Sequence, residues 1–197
     1  RHTAALTVTA RVVIFGAGKG VSKFLSVNCD AFDIATGVSF VAIQGITIAQ
    51  ATRYTSTPNT YTAIRNNGTT ANQNSYHTYR DIFIDGFEFG FDCNAVSSSS
   101  FINCQAAYTH KGITFSLQCL NNAVSQCTLA EMDTSATPPA ANGYGIKVGD
   151  GTINCEGTQI DSCTIYGVAR GLWVHGSIDV LASKNIPDAI AGCGVIA

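Results

Sequence analysis

The 197-residue, 20.6 kDa chain is long enough for one large domain with a full core. Charged residues make up only 12% and apolar ones 46%, which excludes a disordered chain, while scarce Lys, Glu, Arg and Leu beside abundant β-branched residues argue against a helical one. A net charge of −2 supplies no basic field for nucleic acid or a membrane surface, and no run of eighteen apolar residues inserts into a membrane.

The chain opens on "RHTAALTVTA", neither a signal peptide nor a Met start, and closes on the apolar "AIAGCGVIA". The expectation is one domain, residues 1–197, cut from a longer chain. "ARVVIFGAGKGVS" offers Gly16, Gly18 and Gly20 after a β-run, but Val21 stands where a dinucleotide fingerprint needs its third glycine and no amphipathic helix follows. A phosphate loop fails as well, for want of Gly-Lys-Ser/Thr, so the segment reads as a turn between strands.

From residue 43 onward a pattern recurs: apolar, two residues, apolar or Cys, one residue, apolar. It reads as Ile43, Ile46, Ile48, then Ile84, Phe87, Phe89, then Phe101, Cys104, Ala106. Val124, Cys127, Leu129 and Ile160, Cys163, Ile165 follow, with a degenerate last copy at Leu181, Lys184, Ile186. A second pattern, small-apolar-any-apolar, gives "GFDC" from Gly90, "GITF" from Gly112, "GIKV" from Gly145 and "GLWV" from Gly171, and "CGVI" from Cys193 begins one more. Both patterns are too short for helices and alternate with period two, so they predict strands of two to five residues. Repetition near twenty residues predicts a parallel β-helix, an all-β solenoid of about seven to eight coils. Its insertions fall at 49–78, with a strand expected at "TAIR", and at 131–143, "EMDTSATPPAANG".

The cysteines do not predict metal. Cys119 with Cys127 and Cys155 with Cys163 are separated by seven residues, not the two to four of structural zinc sites, and His2, His77, His110 and His175 lie at no ligand-like interval from them. Their spacing marks the repeat, and free buried thiols stacked between coils are expected. No G-x-S-x-G elbow is present, and no cofactor is expected.

With the coils laid out, three stretches carry a resemblance: "VVIFGAGKG", "YHTYRDIFIDGFEFGFD" from Tyr76 to Asp92, and "IDSCTIYGVARGLWV". Together they resemble the right-handed parallel β-helix proteins of the pectate-lyase-like group, and within it phage tailspikes most closely. That resemblance implies a homotrimer in the virion tail, acting at the host cell surface on bacterial surface polysaccharide by glycosidase, lyase or esterase chemistry. The polygalacturonase branch, marked by Asn-Thr-Asp, Asp-Asp, Gly-His-Gly and Arg-x-Lys, is approached only by "VHGS" at His175, which argues against pectin hydrolysis.

Strand alternation puts Asp92, Thr114, Lys147 and Trp173 in one outward column and Asn94, Ser116, Gly149 and His175 in the next. Trp173, expected exposed, suits the C–H face of a sugar. Asp92, Lys147, Arg170, Trp173 and His175 are therefore the expected substrate-binding residues. Glycoside hydrolysis needs two carboxyl groups. Glu131, Asp133 and Asp150, around the second insertion, are the first candidates for acid and base, and Glu88 with Asp92 the second. Elimination with a Lys, Arg, His or Tyr base, a non-catalytic glycan-binding or structural shaft, and a secreted pectinase-like enzyme stay open as alternatives.

Overall fold

The computed structural model describes residues 1–52, 59–130, 143–188 and 193–196, and within them every regular element is a β-strand. The strands stack into three parallel sheets. The first holds the longer strands, Leu6–Val8, Phe32–Ile34, Thr62–Asn67, Phe89–Asn94, Lys111–Ser116, Tyr144–Val148, Arg170–Val174 and Cys193–Ile196. A second sheet runs from Val13–Phe15 to Leu181–Ser183 and a third from Lys23–Ser26 to Ile186–Asp188, seven strands each. The chain visits first, second and third sheet in turn, so each circuit is one coil of a right-handed parallel β-helix: seven coils are complete and Cys193–Ile196 opens another. A short accessory pair, Asn74–Ser75 with Val96–Ser97, bridges the corner after the first sheet.

The repeat has a concrete origin at the corner between second and third sheets. There the strands are joined by two residues, the first left-handed and the second turned into the core: Gly45 and Ile46, Asp81 and Ile82, Asn103 and Cys104, Gln126 and Cys127, Ser162 and Cys163, Lys184 and Asn185. Single left-handed residues bend the chain sharply without breaking the ladder on either side. The thiols of Cys104 and Cys127 donate to the carbonyls of Tyr79 and Phe101 one coil back, at 3.5 and 3.6 Å. Asn185, in the same place, donates its Nδ2 to the Ile160 carbonyl at 3.0 Å and accepts from the Cys163 N–H at 2.9 Å.

Two copies of the sequence pattern shift under this register. Tyr79, not Ile84, pairs with Ile43 and Phe101, and Ile84 belongs to the third sheet beside Ile48 and Ala106. The second copy is therefore Tyr79, Ile82, Ile84; a tyrosine holds a place that an aliphatic pattern passes over. The last copy moves by one residue to Ala182, Asn185 and Pro187, which leaves Leu181 and Ile186 exposed.

Residues 49–78 divide around Thr62–Asn67, the strand expected at "TAIR", leaving connections at 51–61 and 68–77. The "GAGKG" segment is a corner insertion of the first coil, where Gly16 lies so close to the Gly45 carbonyl that a Cβ would stand 2.3 Å from it. Inside, Tyr79, Phe91, Phe101 and Phe115 pack ring to ring at centroid distances of 5.0–5.5 Å, a file of aromatics along the axis. The Tyr79 hydroxyl is kept from burial without a partner by donating to Asn66 Oδ1 at 2.8 Å.

Candidate functional site

The outward face of the first sheet carries two columns. One runs Thr7, Asp33, Arg65, Asp92, Thr114, Lys147, Trp173. The other runs Thr62, Phe89, Lys111, Tyr144, Arg170, each residue from Phe89 onward standing just before a glycine. Those glycines explain how residues three apart share a face. Gly90 and Phe91 both turn inward, and the same break in alternation recurs at Gly112, Gly145 and Gly171. A Cβ on Gly90, Gly112 or Gly145 would stand 2.6, 2.4 or 2.9 Å from the carbonyl of the glycine stacked on it. Only glycine fits so close a backbone approach.

Between the columns lies a cleft of about 600 Å³, lined by Phe89, Asn94, Lys111, Thr114, Ser116, Leu117, Tyr144, Lys147, Asp150, Arg170 and Trp173. Four expected site residues, Lys147, Asp150, Arg170 and Trp173, thus meet in it. Trp173 is half-buried rather than exposed, because its neighbours cover it: Lys147 Nζ and Arg170 Cζ each lie 4.4 Å from a ring centroid, and His175 stacks at 5.4 Å and 18°. His175 in turn sits over Gly151, where a Cβ would come within 2.6 Å of the imidazole. Tyr144 meets Trp173 edge-on at 5.9 Å, and its hydroxyl shares a 2.8 Å hydrogen bond with Thr114. Burial pushes the Tyr144 phenol above its usual range.

Asp92 borders the cleft, its Oδ2 3.7 Å from Arg65 Nε, and Arg65 is also paired with Asp30. Burial raises the Asp92 carboxyl, against the pull of Arg65 and Lys111. Lys111 bonds Glu88 Oε1 at 2.7 Å and lies over Phe89 at 4.2 Å. Asp150 differs from Asp92. Its Oδ1 accepts from the Thr152 hydroxyl at 2.6 Å and from the N–H groups of Thr152 and Ile153 at 2.8 and 3.0 Å, and the Leu117 N–H reaches Oδ2 at 3.3 Å. Those donors, the Thr152 hydroxyl foremost, hold it far below the usual carboxylate range. Such a carboxylate stays ionised and caps its own turn. Glu131 and Asp133 lie outside the described residues.

Sequence reading missed Phe89, Lys111 and Tyr144, although a signal was present: each immediately precedes the glycine of its repeat. Another cleft, about 570 Å³, opens beside the first-coil insertion between Phe15, Lys19, Arg80 and Asp81. It offers one aromatic ring where the first-sheet cleft offers three, so the latter is the better candidate. Among the described residues no three His, Cys, Asp or Glu side chains gather as metal ligands, and no helix is long and apolar enough to cross a membrane.

No protein-family profile and no curated sequence matches the chain. Among solved structures, the catalytic domain of a GH87 alpha-1,3-glucanase in complex with nigerose aligns over 98% of this chain at 12% identity and a TM-score of 0.38. A variant of that catalytic domain, also with nigerose, aligns over 98% at 13% identity and a TM-score of 0.36. The chain spans 62% of the length of each. A likeness of this size carries no activity over to the present chain.

Proposed function

We propose that the first-sheet cleft binds a polysaccharide chain and that the protein cleaves it by hydrolysis. The observation that carries this reading is the set of rings and charges in successive coils, Phe89, Tyr144 and Trp173 among Lys111, Lys147 and Arg170. Coils about 4.8 Å apart repeat those contacts along an open face, which suits a repeating ligand of flat C–H faces and hydroxyl edges. Asp92 is the proton donor in this reading, because burial favours its protonated form. The second carboxyl group is Glu88, oriented by Lys111, or Glu131 or Asp133 from the stretch that follows the third-sheet strand Thr128–Ala130. Asp150, saturated by its turn, serves to hold the cleft wall and to face Lys147.

Incubation with bacterial surface polysaccharides should release reducing ends. Asp92→Asn should slow that release by roughly 10²- to 10⁴-fold with binding retained, the usual worth of a general acid. Undiminished cleavage by Asp92→Asn would remove the assignment, and Glu88→Gln, Glu131→Gln and Asp133→Asn then locate the acid. A second reading, non-catalytic glycan binding, is favoured by the protein-bound state of the described acids, Asp92 on Arg65 and Glu88 on Lys111. It prevails if a bound polysaccharide yields neither reducing ends nor unsaturated product. The resemblance to tailspikes extends the proposal to a homotrimer of the virion tail acting on the host surface. Light scattering that gives a monomer for the full-length protein removes that extension.

A further inference from the structure

Counting charge around the cleft sorts its cations into two kinds. Lys111 is matched by Glu88 at 2.7 Å, and Arg65 by Asp30 and Asp92. Lys147 and Arg170 differ: among the described residues no carboxylate comes within 4 Å of either. The nearest acid along the chain, Asp150, spends Oδ1 on Thr152 and Ile153. Instead both cations rest against the one indole, each 4.4 Å from a ring centroid. Their charges therefore add in a partly desolvated recess, and Lys147 registers the crowding: burial first, then Lys111 and Arg170, depress its pKa against the opposing effect of Asp150.

We propose that this recess selects an anionic sugar residue, its carboxylate or sulfate ester held between Lys147 and Arg170 while its ring lies against Trp173. The inference deepens the polysaccharide reading and rests on it. A guanidinium fork takes two oxygens of a planar carboxylate or of a sulfate, and an ammonium beside it adds a third charge-assisted bond. The indole supplies the apolar wall that a free inorganic anion would not need. A neutral sugar would bring no counter-charge to the two cations of this half-buried recess, so discrimination comes from the protein's own like charges as well as from the new bonds.

Trp173 is the sole tryptophan of the chain, so its fluorescence reports on the recess directly. The full chain should be titrated separately with D-glucuronate, D-glucose 6-sulfate, D-glucose and sodium sulfate. Glucuronate or the 6-sulfate should give a saturable change that weakens as salt rises, and the stronger of the two identifies the anionic group. Arg170→Gln and Lys147→Gln should each weaken it tenfold or more, with Lys147→Arg retaining most of the response. An equal response to glucose, a sulfate affinity matching that of the charged sugars, no response to any sugar, or unaffected substituted proteins would each overturn the proposal. Sedimentation with neutral and acidic polysaccharides keeps the two readings apart. Binding regardless of charge removes the anion selectivity and keeps the polysaccharide cleft, whereas no binding to any polymer removes both.

Discussion

His77 shows what a single residue bears in a fold made of ladders. Its Nδ1 accepts from the Val41 N–H at 3.1 Å, and its backbone N–H donates to Ser99 Oγ at 2.9 Å, so it is one step in a buried polar file that continues from Ser99 to Asn122. An imidazole that accepts at Nδ1 must be neutral there. Burial lowers its pKa from 6.5 to about 4. Between those values the unfolded chain binds the proton that the folded chain refuses, so His77 contributes stability above pH 6.5 that is lost as pH falls towards about 4. The loss attributable to this residue is on the order of 3 kcal/mol. Urea unfolding from pH 7.5 to 4.5 should show a steeper decline for the native chain than for His77→Asn, whose amide oxygen can still accept from Val41; equal slopes would assign the decline to other groups. At this scale the sequence was legible only in part. It separated the outward column of Asp92, Thr114, Lys147 and Trp173, but not the cover that Lys147, Arg170 and His175 put on the indole, because alternation tells which way a side chain points and not what leans on it.

At the scale of the strand, the glycine column decides how the cleft is built. A residue with a side chain at Gly112 would drive its Cβ to 2.4 Å from the Gly145 carbonyl and 3.2 Å from Leu129 Cδ1. Gly112→Ala should therefore cost about 2–3 kcal/mol or prevent folding, as overpacking of a close backbone contact does. Gly20→Ala is the control. Nothing lies within 4 Å of that Cβ, so only its backbone conformation opposes the change. A loss at Gly20 equal to that at Gly112 would show that conformation, not contact, is the cause. The motif "Gly-apolar-any-apolar" was readable as a strand, yet its meaning was not. Read as strict alternation it gives one useful outward position, whereas two consecutive inward residues give two, and Phe89, Lys111 and Tyr144 lie in the second. Tyr79 was lost for a similar reason, since its polar end is satisfied by Asn66 and its ring does the work that isoleucine does elsewhere.

Across the whole molecule the cysteines form two stacks. Cys104, Cys127 and Cys163 follow one corner, and Cys119 and Cys155 another, the Cys119 N–H donating to Cys155 Sγ at 3.3 Å. The seven described sulfurs are free thiols, and all but Cys29 are buried. Thiol-selective labelling of the native protein should therefore reach Cys29 quickly and the other six only at the rate at which coils open. Prompt labelling of Cys127 or Cys163 would mean that the stack is looser than its hydrogen bonds imply. The number of coils and the parallel architecture were legible from this repetition, because stacked identical positions leave a period in the sequence. The conformation of the connecting loops was not, since those segments obey no period.

The three corners of the coil are unequal. From Ala42–Gln44 onward the second and third sheets are always joined by two residues, while the long connections among the described residues, 68–77 and 149–158, leave the first sheet. One side of the coil is thus a spine of constant length and the other a mouth of adjustable lips. Exchanging those lips between related coils would recast what the face accepts without displacing a single stacked side chain, so new specificity can be acquired by substitution of loops while the folding code stays where it is.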